Sequence, residues 1–295
     1  MEQDYSGILL TDLDGTWKRN SVFLDLVHEM ARVGLLSQAA SKEIEVHREK
    51  WEARDGGFDS YLMKAVEIFE ANLAGVPVGA FDVIVAGVLK RTRNNVYRFP
   101  RALVQQKLDE GWLVCCISAS PDNAVKAFAK SWNIHEAYGT EMYQQNGVYT
   151  GERLVLDREE KVKVIHRLLS RFPNIPRRNI WACGDTLSDM PMLFMPEVGR
   201  AICVNPSSEL MDSVLNQPYE VAAKTWFVVE RKDVILEWMS CFPGDTHRAY
   251  RIVAENVPLI DGERQLSEPG LVQKFKVEMI FDMSNGRTRN KTLLG

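Results

Sequence analysis

The chain opens on a short, unbroken apolar run, Gly7-Ile8-Leu9-Leu10, that stops abruptly at Thr11-Asp12, and the same arrangement returns along the sequence. Trp112 to Ile117 stops at Ser118-Ala119-Ser120-Pro121-Asp122, Asn179 to Cys183 at Gly184-Asp185, and Ala201 to Val204 at Asn205-Pro206. Runs of this length without alternation fit strands buried on both faces. Helical patterns lie before or between them, as in Arg101 to Glu110, which ends at Gly111, and in residues 122–132. Strands alternating with helices require βα units around a parallel sheet. Trp226 to Val229 reads as a further strand, followed by an amphipathic stretch from Asp233 to Met239.

One long interval breaks the alternation. From about Ser21 to Arg93 strand signals are nearly absent, while Phe23, Leu26, Val27 and Met30, and then Tyr61, Ala65, Ile68, Phe69 and Leu73, keep helical spacing. Glu141 to Gly151 carries Asn146-Gly147 between alternating residues, a hairpin signal. Beyond Phe242-Pro243-Gly244, Phe275, Val277, Met279 and Phe281 alternate with Lys274, Lys276, Glu278 and Asp282 like a half-buried edge strand. That tail carries no functional signal.

The formal net charge of −4 lacks the basic excess needed to hold a nucleic-acid backbone, so nucleic acid is not expected as a partner. Met1-Glu2-Gln3-Asp4-Tyr5 places acidic residues where a secretory leader needs basic ones, and no uncharged apolar run approaches the ~20 residues that span a bilayer. The expectation is a cytoplasmic protein without a membrane partner. Of five cysteines, Cys115, Cys116, Cys183 and Cys203 sit inside apolar runs. Adjacent strand residues point to opposite faces and no CxxC pair occurs, so reduced core thiols are expected.

The polar ends of these strands carry the chemistry. Asp12 and Asp14, at period-two spacing with Gly15 permitting a sharp turn, can turn both carboxylates to one side. One can attack an electrophile while the other protonates the leaving oxygen and later takes a proton from water. The competing reading is a surface turn after a strand. A calcium loop fits less well, because no helix precedes Asp12 and the twelve-position ligand pattern does not follow. Cys183-Gly184-Asp185-Thr186-Leu187-Ser188-Asp189 supplies a second acidic pair. Asp185 can complete a magnesium site with Asp12; the competing reading is that Asp185 or Asp189 caps the next helix, and for Asp189 alone the cap is preferred. Ser118, with Ala119 and the following backbone N–H groups, suits a phosphoryl oxygen or simply caps a helix. Lys161, in Glu159-Glu160-Lys161-Val162-Lys163, can neutralise phosphoryl charge; Lys163 is its rival. Ligand sites in open α/β sheets lie at the carboxyl ends of strands, where all these residues fall.

Asp12-Leu13-Asp14-Gly15-Thr16, Ser118, Lys161 and Gly184-Asp185-Thr186-Leu187-Ser188-Asp189, in that order, resemble the four signature motifs of the haloacid dehalogenase superfamily over roughly residues 5–240. The resemblance implies an α/β fold, with a Rossmann-like three-layer core around a central parallel sheet and a helical cap inserted after the first strand. Residues 1–20 and 94–240 would form the core, 21–93 the cap and 241–295 an extension of unassigned role. It further implies Asp12 as nucleophile and Asp14 as general acid/base. Mg2+ would be held by Asp12, the backbone carbonyl of Asp14 and Asp185, with Asp189 binding or orienting the metal shell. Ser118, Ala119 and Lys161 would grip the phosphoryl group. The implied activity is hydrolysis of a small phosphomonoester through an aspartyl-phosphate. Transfer of the phosphoryl group to an alcohol, and a non-catalytic binding protein of the same fold, are the alternatives.

An insertion directly after the first motif is similar to the phosphoserine-phosphatase-like branch, as are Ser118-Ala119-Ser120-Pro121 and the hairpin ending Tyr149-Thr150-Gly151. That branch's glutamate and arginine for the amino acid are not matched: Ser21 stands near the first, and Met63, Lys64 and Ala65 near the second. The resemblance therefore argues against phosphoserine itself. Trp17, Lys18, Arg19 and Asn20, with Trp51, Arg54 and Tyr61, are candidates to face the substrate, against a core reading for the aromatic residues. The histidines carry no signal of a triad or metal site.

Overall fold

A computed structural model describes residues 4–218, 221, 224–231, 234–239, 251–253, 277–282 and 287–292. The first apolar run becomes strand β1 (Ile8–Thr11), and the helical interval becomes α1 (Val22–Arg32), α2 (Gln38–Glu52), α3 (Phe58–Leu73) and α4 (Val78–Thr92). Then come α5 (Arg98–Asp109), β2 (Leu113–Pro121), α6 (Asp122–Ser131), the hairpin β3 (Glu136–Gln145) and β4 (Val148–Leu154), and α7 (Arg158–Ser170). The core closes with β5 (Ile180–Gly184), α8 (Met190–Leu193), β6 (Arg200–Val204), α9 (Ser208–Leu215) and β7 (Thr225–Arg231). The last strands are β8 (Val234–Met239), β9 (Arg251–Val253), β10 (Val277–Asp282) and β11 (Arg287–Thr292).

The nine-stranded sheet runs β4-β3-β2-β1-β5-β6-β7-β8-β9, while β10 and β11 form a separate antiparallel pair. From β3 to β7 every pairing is parallel, as the unalternating apolar runs require. Strand order reverses between β1 and β5, so their carboxyl ends flank a topological switch point. Thr11 stands level with Cys116 on one side and Cys183 on the other, so the polar ends of β1, β2 and β5 arrive at one edge.

Period two divides the buried residues between two faces. Leu9, Val114, Cys116, Cys183, Ile202, Val204 and Val228 share a cluster with α1 and α3–α6. Ile8, Leu10, Leu113, Cys115, Ile117, Ala182, Ala201 and Cys203 pack against α7–α9. The fold is thus the expected three-layer α/β arrangement, with a further helical block after β1. That block enters and leaves through paired segments: Arg19 N–H donates to Asn95 O (3.0 Å) and Tyr97 N–H to Trp17 O (2.8 Å). Its α3–α4 turn is tied to the β3–β4 hairpin by Gly75 N–H to Tyr149 O (2.8 Å), Tyr149 N–H to Val76 O (3.0 Å) and Val78 N–H to Gly147 O (3.0 Å). Arg153 pairs with Glu70 across the same seam.

Some boundaries move. α5 begins at Arg98, because Pro100 falls in the first turn, where a missing N–H costs nothing. β2 continues through Ser118-Ala119-Ser120 to Pro121 with a register shift after Ile117, where a loop was expected. Residues 234–239 of the amphipathic stretch are strand β8; Asp233 lies outside the described residues. The tail alternation is strand β10 from Val277, whereas Lys274, Phe275 and Lys276 lie outside the described residues. Cys115, Cys116, Cys183 and Cys203 are buried free thiols, and Cys241 lies outside the described residues. No helix among the described residues is long and apolar enough to cross a membrane.

Candidate active site

Asp12 leaves the end of β1 with its backbone still in the ladder, its N–H donating to Cys183 O at 2.9 Å. The residue is buried, at 6% exposure. The chain then folds back on itself, Lys18 N–H reaching Leu13 O at 2.8 Å. Gly15 makes this possible at φ +86°, and a Cβ there would stand 2.0 Å from Asp185 Oδ2. The glycine thus permits the turn and the approach of the β5 carboxylate. Thr16 Oγ1 donates to Asp185 Oδ1 at 2.8 Å, and Ser207 N–H holds the Asp185 carbonyl at 2.8 Å.

One oxygen from each of Asp12, Asp185 and Asp189 lies within 4.8 Å of the others. Lys161 enters from α7, donating to Asp12 Oδ1 at 3.1 Å and Asp189 Oδ1 at 2.7 Å. It shares the inward stripe of Val164, Ile165 and Leu168, whereas Lys163 points outward and pairs with Glu160. Burial alone would lower the Lys161 ammonium, but Asp189 and Asp12 outweigh it and raise it. Asp12 is raised by burial and by Asp189 against the opposing pull of Lys161. Asp185 is raised by burial, then by Asp12 and Asp189. One ammonium does not balance three converging carboxylates, so the donor set of hard oxygens fits a divalent cation.

Asp189 performs two tasks. Its Oδ2 accepts from the N–H groups of Asp185 and Thr186, each at 3.1 Å, closing a capping box, while Oδ1 holds Lys161. The cap reading holds for it, and the same carboxylate also reaches Lys161. Gly184 admits this carboxylate, since a Cβ there would lie 2.4 Å from Asp189 Cβ.

Asp14 is held separately. Its Oδ1 accepts from the N–H of Val22 at the start of α1 (2.5 Å), and its Oδ2 from Ser120 Oγ (2.5 Å) and Ser118 Oγ (3.1 Å). Burial raises its carboxyl, and the Ser120 and Val22 bonds and the Lys18 charge partly offset this. Ser118, expected on the phosphoryl group, donates here to Asp14 and accepts from Ser120 N–H at 3.1 Å. Ala119 is exposed beside it, with its carbonyl accepting from Thr140 Oγ1 at 2.6 Å.

The substrate-facing candidates lie in different settings. Trp17 is fully buried against Phe128 and Trp132, a core residue between the block and α6. Lys18 is also fully buried, its ammonium paired with Asp25 at 2.5 Å. Arg19 is partly exposed but anchored to Val96 O at 3.2 Å and Glu230 at 2.9 Å. Arg54 is exposed after α2 at φ +63° and makes no side-chain hydrogen bond or ion pair with a described residue. Tyr61 is buried against His28, with Trp51 stacked on it. Ser21 caps α1, Lys64 pairs with Glu43 and Glu67, and Met63 is exposed.

Sequence reasoning assigned no role to Ser120 or Thr16. Ser120 was findable, because two residues beyond Ser118 on an extended strand returns to the same side. Thr16 had no such signal, since its partner is 169 residues away.

A family model described as haloacid dehalogenase-like hydrolase matches residues 9–193, which include Asp12, Asp14, Asp185 and Asp189. A phosphoserine phosphatase of Lactococcus lactis is 25% identical over 68% of this chain and 85% of its own. A phosphoserine phosphatase of Mycobacterium tuberculosis is 26% identical over 51% of this chain, which spans only 46% of that relative. Among solved structures, a protein of unknown function from Bordetella pertussis Tohama I superposes with a TM-score of 0.58 at 19% identity, covering 72% of this chain and 95% of its own.

Proposed function

The chain belongs to the haloacid dehalogenase-like hydrolases, in their phosphoserine-phosphatase-like branch, and from that premise we propose that it is a magnesium-dependent phosphatase acting on a small phosphomonoester through an aspartyl-phosphate at Asp12. The observation that carries this reading is the convergence of Asp12, Asp185 and Asp189 around Lys161, with Asp14 held apart by hydrogen bonds of its own.

In this mechanism Asp12 attacks phosphorus, and the bond to the leaving oxygen breaks as Asp14 gives that oxygen a proton. Asp14 then takes a proton from the water that cleaves the aspartyl-phosphate and restores Asp12. Lys161 offsets part of the burial and repulsion that work against the Asp12 carboxylate, and neutralises charge on the transferring group. Asp12, Asp185 and the Asp14 carbonyl would hold Mg2+, with Asp189 behind them. When bound, the ion supplies Lewis-acid stabilisation of the phosphoryl oxygens. Ser118 would turn from Asp14 to a phosphoryl oxygen, with the Ala119 backbone beside it.

The division into a core of residues 1–20 and 94–240 and a cap of 21–93 belongs to the same proposal. The cap would close over the ester and select its leaving group. Ser21, Met63, Lys64 and Ala65 offer no amino-acid clamp, which favours a small ester other than phosphoserine. Magnesium-dependent phosphate release from p-nitrophenyl phosphate tests the reading. It is expected to fall at least ~10³-fold in Asp12→Asn and Asp12→Ala, and activity unchanged by both would remove the nucleophile assignment.

A further inference from the structure

The two oxygens of Asp14 stand in chemically different settings. Oδ1 faces the Val22 N–H, which only donates, so this oxygen must keep a lone pair toward it. Oδ2 faces the hydroxyls of Ser120 and Ser118, which can donate or accept. Of these partners, only the two hydroxyls on Oδ2 could accept from a protonated carboxyl as well as donate to an ionised one. We propose that Ser120 is a positioning residue that, by gripping Oδ2, fixes the orientation from which Asp14 serves the leaving group. The inference rests on the phosphatase reading above and deepens it.

Several contacts make Ser120 the better holder of that oxygen. Its hydroxyl is nearer than that of Ser118, 2.5 Å against 3.1 Å, and the residue is 3% exposed. Its backbone N–H is secured by Ser118 Oγ at 3.1 Å. The segment around it is braced from β3: Thr140 Oγ1 holds the Ala119 carbonyl, and Gly139 N–H donates to Asp122 Oδ1 at 3.2 Å. A Cβ at Gly139 would stand 2.7 Å from Ser120 O and 2.5 Å from Asp122 Cα, so only glycine lets β3 press so closely. Ser118 can thus leave Asp14 for the phosphoryl group without releasing Oδ2. In the first half-reaction the bond from Asp12 to phosphorus forms, the ester P–O bond breaks, and a proton passes from Asp14 to the departing oxygen to give the alcohol.

The test compares kcat/KM for p-nitrophenyl phosphate, whose phenolate leaves readily, with that for phenyl phosphate, whose leaving oxygen needs the proton. kcat/KM reports the phosphorylation half-reaction, in which Asp14 acts as the acid. In Ser120→Ala the ratio of the two values should rise about tenfold over the unmodified protein. Ser120→Thr, which keeps the hydroxyl, should restore the ratio, and Ser118→Ala should lower both esters together. If Ser120→Ala fails to fold, Ser120→Cys, a weak donor of similar volume, reads the same ratio. A ratio unchanged by removing the hydroxyl, or equally altered in Ser120→Thr, overturns the inference and leaves the phosphatase reading standing. An unmodified protein that hydrolyses neither ester with magnesium removes both.

Discussion

Gly15 shows how much of the site hangs on a hydrogen atom. A methyl group there would meet Asp185 Oδ2 at 2.0 Å, on a backbone already at φ +86°. Gly15→Ala is therefore expected to destabilise the fold by about 1–3 kcal/mol and to push Asp185 away, raising the magnesium concentration for half-maximal activity ~10-fold or more. Urea denaturation and a magnesium titration of phosphate release check both; an unchanged magnesium requirement would mean that Asp185 does not depend on this approach. The carboxylates themselves were legible in the sequence, because each follows an apolar run that could only be a buried strand. Lys161 over Lys163 was legible in principle too, since only Lys161 keeps step with Val164, Ile165 and Leu168. For Trp17 and Lys18, position after a motif says nothing about the direction of the side chain. Trp17 turns into an aromatic cluster and Lys18 finds Asp25 seven residues on.

At the scale of elements, local spacing announced helices and strands well, and register did the rest. Thr11 level with Cys116 and Cys183 brings three strand ends together, a consequence of pairing between segments more than 100 residues apart that no local pattern contains. The Asn146-Gly147 turn was legible because both residues need positive φ, and they adopt +53° and +79°. What was hidden is the use of that hairpin, which grips the α3–α4 turn through Gly75, Val76 and Val78. Gly147→Val should cost about 1–2 kcal/mol from backbone strain alone. Thermal melting should then fall by ~2–8 °C, with phosphate release at permissive temperature retained. A melting temperature equal to that of the unmodified protein would contradict the strained-turn account.

Across the whole molecule, the site sets stability against chemistry. Asp12 and Asp185 are raised above the ordinary aspartate value by burial and by the charges of neighbouring aspartates, Asp189 and Asp14 for Asp12, and Asp12 and Asp189 for Asp185. A raised group contributes stability that is complete below its unfolded value and is lost as pH rises through its folded value. For this cluster, then, the metal-free protein weakens as pH climbs from acid toward neutral. A divalent cation should reverse this, adding about 2.7 kcal/mol at a hundredfold excess over its Kd. Asp185→Asn should raise the melting temperature of the chelator-treated protein at neutral pH and abolish the magnesium increment; a magnesium increment that survives the substitution would place the ion elsewhere. The most direct measurement is borohydride trapping during turnover of p-nitrophenyl phosphate with magnesium, which reduces an acyl phosphate to the alcohol. Peptide mass spectrometry should then find homoserine at position 12, only when ester and magnesium are both present. Phosphate release with no homoserine, or homoserine at position 14 or 185 instead, would contradict Asp12 as the nucleophile.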